Sequence, residues 1–156
     1  MRENFNMAGR KKKVLLDASI FVAAAGSASG GSSLVLEVCR GLRFSAVTTR
    51  KILLEAQRNI RKKLSSEALL RFYKEIGNLN PEIIKPPTKE KLSQHDDIIA
   101  LKDRHVLVSA LESKSNFLIT LDRKHFQTEA IRQANLPITI LTPKEFLELV
   151  KKHKEL

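Results

Sequence analysis

The chain has 156 residues, 42% hydrophobic and 29% charged, which suits one domain with its own core and excludes a disordered chain. Lys and Arg number 28 against 17 Asp and Glu, and the formal net charge of +11 favours polyanionic partners through counterion release. With 5% aromatics and no Trp, base-stacking platforms are not expected, and no apolar run approaches the ~20 residues that cross a bilayer.

Residues 1–13 read as a basic, flexible arm ending in Arg10-Lys11-Lys12-Lys13, and residues 14–156 as a single domain. No secretory signal is evident at the N-terminus. Residues 14–17 form a first strand, apolar on both faces as in a parallel sheet. A helix is expected over 18–25, a flexible Gly/Ser loop over 26–33 and a second helix over 33–40. The loop lacks the Lys-Ser/Thr ending of a nucleotide-binding Walker motif and reads as a mobile connector. Cys39, the single cysteine, falls on the apolar side of the second helix as a buried thiol. Without a disulfide partner, the chain fits a reducing cytoplasm.

A second strand spans 44–48, and Thr49 caps a helix over 50–63. Ser65 or Ser66 caps the next helix, over 67–78. A weak third strand at 82–85 stops at Pro86-Pro87. A short helix at 89–93 leads into a polar loop over 94–102, where Asp96-Asp97 reads as a solvated pair. Asp103 opens a helix with the apolar stripe Val106, Leu107, Ala110 and Leu111. The fourth strand spans 117–121, a helix 126–134, the fifth strand 138–141, and Thr142-Pro143 starts the last helix. Alternation of this kind builds a parallel sheet with helices on both faces, and its sites lie beyond the strand C-terminal ends.

Asp17 and Asp122 close the first and fourth strands at that edge. Glu55 lies three residues after Ile52 and borders the inward stripe of its helix. Asp103 stands at the head of another. Each aspartate also suits a helix N-cap, a role contributing about 1 kcal/mol. Four acids converging on one edge repel one another unless a hard cation neutralises them, and an oxygen-rich set of this kind suits Mg²⁺ or Mn²⁺. One or two such ions can activate water and stabilise a leaving oxygen in phosphodiester hydrolysis. Ser19 and Thr120 are placed to orient ligands or bind metal through water. Arg104, Lys124 and His125 flank the acids and are candidates for substrate phosphate. The histidines His95, His105, His125 and His153 lack zinc spacing.

These stretches resemble the PIN-domain family: Val14-Leu15-Leu16-Asp17-Ala18-Ser19, Ile52-Leu53-Leu54-Glu55, residues 102–110 around Asp103, residues 118–126 around Asp122, and the ending Ile140-Leu141-Thr142-Pro143. The resemblance covers roughly residues 14–150. It implies a three-layer α/β/α sandwich with a five-stranded parallel sheet. It further implies an Mg²⁺- or Mn²⁺-dependent ribonuclease working through Asp17, Glu55, Asp103 and Asp122. Ser19 stands where the family often has Asn or Thr. Many family members are toxins silenced by an antitoxin that enters the site, and a homodimer is favoured. A non-catalytic RNA-binding module on the same fold is the alternative. A phosphoryl-accepting signalling domain fits less well, because of the helical Glu55 and the basic charge.

Overall fold

The computed structural model describes residues 10–153. Five strands, β1 (Lys12–Leu16), β2 (Phe44–Thr49), β3 (Glu82–Ile84), β4 (Phe117–Ile119) and β5 (Thr139–Leu141), form one sheet in the order β3-β2-β1-β4-β5. All four pairings are parallel. The helices are α1 (Ala18–Gly26), α2 (Gly31–Cys39), α3 (Arg50–Lys63), α4 (Ser66–Leu79), α5 (Lys89–Ser93), α6 (Leu101–Glu112), α7 (Arg123–Phe126), α8 (Glu129–Gln133) and α9 (Pro143–Lys152). They cover both faces of the sheet, which is the three-layer α/β/α arrangement expected from the sequence.

The central strand explains itself. Val14, Leu15 and Leu16 are each fully buried, because helices pack above and below β1. Each such side chain contributes about 1.5–3 kcal/mol by leaving water. The start of the sheet is filled by Phe44, Phe117 and Phe146, whose ring centroids lie 5.2–6.2 Å apart in tilted and edge-on pairs. This aromatic cluster anchors the N-terminal ends of β2 and β4 and leaves the opposite edge to polar residues. From β1 the chain moves outward to β2 and β3, then returns to place β4 on the other side of β1. Ligand sites in open parallel sheets form at such a reversal, beyond the strand ends.

Several boundaries differ from the sequence reading. Residues 1–9 of the expected arm lie outside the described residues, whereas Lys12 and Lys13 belong to β1 and pair with Phe44 and Ser45. The Gly/Ser loop is shorter, because Gly30 takes the N-cap position and α2 begins at Gly31. The expected helix over 126–134 is two helices: Asp122 caps α7, and Thr128 caps α8 by accepting from the Ile131 N–H. Asp103 is not a cap. Helix α6 begins at Leu101 after Ala100, and Asp103 sits inside its first turn. Cys39 is buried, and burial pushes its thiol up to about 12. Among the described residues no single helix is long and apolar enough to cross a membrane.

Candidate metal centre

Asp17 follows β1 directly. Its backbone N–H donates to the Ile119 carbonyl of β4 at 3.1 Å, extending the strand pairing by one step. Its carboxylate caps α1, accepting from the Ala18 N–H at 2.7 Å. The other carboxylate oxygen accepts from Thr120 Oγ1 at 2.7 Å and Ser19 Oγ at 3.2 Å. Both hydroxyls also accept: Thr120 from the Asp122 N–H at 3.0 Å, and Ser19 from the Leu121 N–H at 3.1 Å. Two hydroxyls therefore tie the end of β1 to the segment after β4. Burial raises the Asp17 pKa; the Thr120, Ala18 and Ser19 donors pull it back, and the Asp103 charge adds to the rise.

Glu55 arrives from α3, whose start is fixed by Thr49 accepting from the Ile52 N–H at 3.0 Å. Its side chain is half-exposed. Burial raises its pKa, and Asp17 and Asp103 raise it further against the opposing pull of Arg58 and Lys51. Beside it, His105 Nε2 lies 3.9 Å from Glu55 Oε2. Burial pushes the His105 imidazole down to about 4, with Lys51 adding to the effect, so it stands neutral at physiological pH.

Asp103 and Asp122 complete the cluster. Asp122 caps α7: one oxygen accepts from the His125 backbone N–H at 3.1 Å and the other contacts His125 Nδ1 at 2.7 Å. The same Nδ1 is 4.0 Å from Asp103 Oδ2. That Asp103 oxygen is buried and has no hydrogen-bond partner. A buried acceptor left unpaired costs about 1–3 kcal/mol, and more when charged. Burial raises the Asp103 pKa; Lys102 and His125 oppose the rise, and Asp122 adds to it. Asp103 is thus the electrostatic hub, felt by Asp17 and Glu55 on one side and feeling Asp122 on the other.

The donor set fits a divalent cation. One ligand atom each from Asp103, Asp122 and His125 can be chosen so that all lie within 4.8 Å of one another. The partnerless Asp103 oxygen is the atom a cation would satisfy. Carboxylates dominate, as hard dications require, and one imidazole joins them.

The remaining candidates separate. Ser19 and Thr120 meet at Asp17. The Arg104 guanidinium donates to the Ile99 carbonyl at 3.0 and 3.2 Å and the Asp96 carbonyl at 3.4 Å, and so holds the turn before α6. Lys124 is exposed, as are Asp96 and Asp97. The loop after α1 lines a cleft of about 620 Å³ that it shares with Leu121, Pro143 and Leu147. His105 is a neighbour of the cluster that zinc spacing among the histidines does not reveal. Its one signal was its position two residues after Asp103.

The sequence matches the profile of the PIN domain over residues 13–124. No curated protein matches it. Among solved structures, it is similar to VapBC2 from Rickettsia felis, determined bound to a DNA fragment from their promoter. The identity is 19% over 83% of this chain and 96% of that one, with a TM-score of 0.59. It is also similar to PAE2754 from Pyrobaculum aerophilum, at 14% identity over 92% and 98% of the two chains, with a TM-score of 0.58. These likenesses establish the shared fold.

Proposed function

This chain belongs to the PIN domain family, and from that premise we propose that it is a metal-dependent endoribonuclease hydrolysing RNA phosphodiester bonds. The observation that supports the reading is the partnerless Asp103 oxygen, clustered with Asp122 and His125 and close enough for its charge to act on Asp17 and Glu55, on a basic chain. Asp17, Glu55, Asp103 and Asp122 would hold Mg²⁺ or Mn²⁺. A cation bound there supplies a water acidic enough to attack at neutral pH and neutralises charge on the phosphate.

The chain's own groups do the rest. Thr120 and Ser19 hold Asp17 in one rotamer. Glu55, half-exposed and held on α3 by the Thr49 cap, would complete the carboxylate set from the side of the cluster open to solvent. His105, neutral and beside it, limits where the Glu55 carboxylate can sit. Lys124 and the wider positive charge draw the RNA backbone in, a contribution that weakens with salt. An antitoxin that covers the site, a homodimer, a cytoplasmic setting and a single domain over residues 14–156 belong to the same proposal.

The test is incubation of mixed structured and unstructured RNAs with Mg²⁺, Mn²⁺ or EDTA. Cleavage should need the metal, disappear in Asp17→Asn, and leave no 2′,3′-cyclic phosphate, because water and not the 2′-hydroxyl attacks. Salt-sensitive RNA binding without cutting, indifferent to metal and to Glu55→Gln, would replace the nuclease with a binding module.

A further inference from the structure

We infer that His125 is itself a cation ligand through Nδ1, alongside Asp103 and Asp122, and that this nitrogen makes the centre prefer Mn²⁺ to Mg²⁺. The inference rests on the metal-dependent reading above and narrows it. It also replaces the phosphate contact expected of His125 from the sequence.

The short helix α7 sets the geometry. Asp122 uses Oδ1 to accept from the His125 backbone N–H at 3.1 Å, which fixes the residue three positions on and brings its ring over the same carboxylate. Asp122 Oδ2 is left for the ring nitrogen at 2.7 Å. Asp103 Oδ2 faces that nitrogen from α6 at 4.0 Å. Three atoms therefore converge: a nitrogen, a carboxylate oxygen the cap does not use, and a buried oxygen with no partner.

With no cation, one ring proton serves Asp122 and does nothing for Asp103. Nδ1 lies 2.7 Å from one carboxylate oxygen and 4.0 Å from the other, close enough for one dication to be shared by all three. To serve as a ligand, His125 would carry its proton on Nε2 and offer the Nδ1 lone pair. Asp17 differs, because protein donors already serve both of its oxygens.

Mg²⁺ favours oxygen and gives up water reluctantly; Mn²⁺ shares the preference for oxygen but, as the first member of the transition-metal series, takes an imidazole more readily than Mg²⁺ does. A nitrogen among the ligands therefore separates two ions that an all-oxygen site holds more alike.

The experiment is calorimetric titration of the full chain with MnCl₂ and with MgCl₂, for wild type, His125→Ala and His125→Gln. Pulsed electron paramagnetic resonance of the Mn²⁺-loaded wild type accompanies it. Wild type should bind Mn²⁺ at least ~10-fold more tightly than Mg²⁺. The variants should lose ~10-fold or more for Mn²⁺ and much less for Mg²⁺, so the ratio collapses. A merely structural histidine would lower both affinities together. The wild-type spectrum, which needs no variant to fold, should show nitrogen modulation from a directly bound imidazole. Stoichiometric Mn²⁺ without nitrogen modulation, or an unchanged ratio, overturns the inference and leaves the carboxylate centre standing. No Mn²⁺ uptake overturns both. Nitrogen-coupled Mn²⁺ with no RNA cleavage would sink the nuclease and keep His125 as a ligand.

Discussion

Asp17 and Asp103 bring the same side chain to the same cluster, and the fold treats them in opposite ways. Asp17 accepts three hydrogen bonds, from the Ala18 N–H, Ser19 and Thr120. Asp103, the hub of the cluster's repulsions, keeps one buried oxygen with no partner. Burial raises both pKa values, but only at Asp17 do protein donors offset it. One half of the site is organised by the protein. At Asp103 the protein leaves one buried oxygen unserved, the atom that the proposed cation would satisfy. Dependence on metal should therefore concentrate at Asp103, and dependence on side-chain hydroxyls at Asp17.

The largest test removes a ligand outright. Asp103→Asn should reduce metal-dependent RNA cleavage by about 10³-fold or more, the scale of several kcal/mol of charge stabilisation. Single-turnover rates at saturating Mn²⁺ measure it. Next, Thr120→Val strips the shorter of the two side-chain donors to Asp17 while keeping the shape. Metal affinity should fall about 10–100-fold, as for other groups that orient ligands. If Thr120→Val binds metal like wild type, the protein-organised half is no such thing.

The same comparison predicts opposite effects on stability. In EDTA, Asp103→Asn should raise the melting temperature by about 2–4 °C, the shift that 1 kcal/mol gives a chain of this size. Asp17→Asn disturbs a satisfied network and should not raise it. Differential scanning calorimetry separates the two.

The acid half was legible from sequence because the apolar runs before Asp17 and Asp122 could only be buried strands of one parallel sheet. Thr49 and Thr142 are readable as caps and cap their helices, and of the two candidates Ser65 and Ser66 it is Ser65 that does so. Asp103 was misplaced within its helix because α6 starts after Ala100, which has no capping side chain to announce it. The pairing of His125 with Asp122 follows helix spacing; its approach to Asp103 depends on how α6 and α7 meet, which no local pattern encodes. The reach of Arg104 back to the Ile99 carbonyl is a property of the turn it closes and is not encoded in its position beside Asp103.

A smaller effect concerns pH. Burial holds the Asp17, Glu55 and Asp103 pKa values above their ordinary 3.8, 4.5 and 3.8 in the folded chain. The folded state then binds protons more readily than the unfolded state, so metal-free stability falls as pH rises from that range through the raised values. His105 acts with the opposite sign. Held at about 4 against an ordinary 6.5, it costs stability as pH falls from 6.5 towards 4. Melting curves against pH in EDTA should show both limbs. Asp103→Asn should flatten the first and His105→Leu the second, while saturating Mn²⁺ in place of EDTA should reverse the slope of the first, because a bound cation favours the ionised carboxylates.

The most direct measurement is RNA cleavage by wild type and Asp103→Asn across a Mn²⁺ titration, with a melting curve on each sample. The account predicts wild-type cleavage that saturates with Mn²⁺ and vanishes in EDTA, and an Asp103→Asn protein that is folded and inactive. Cleavage that persists in EDTA, or in folded Asp103→Asn, would contradict it.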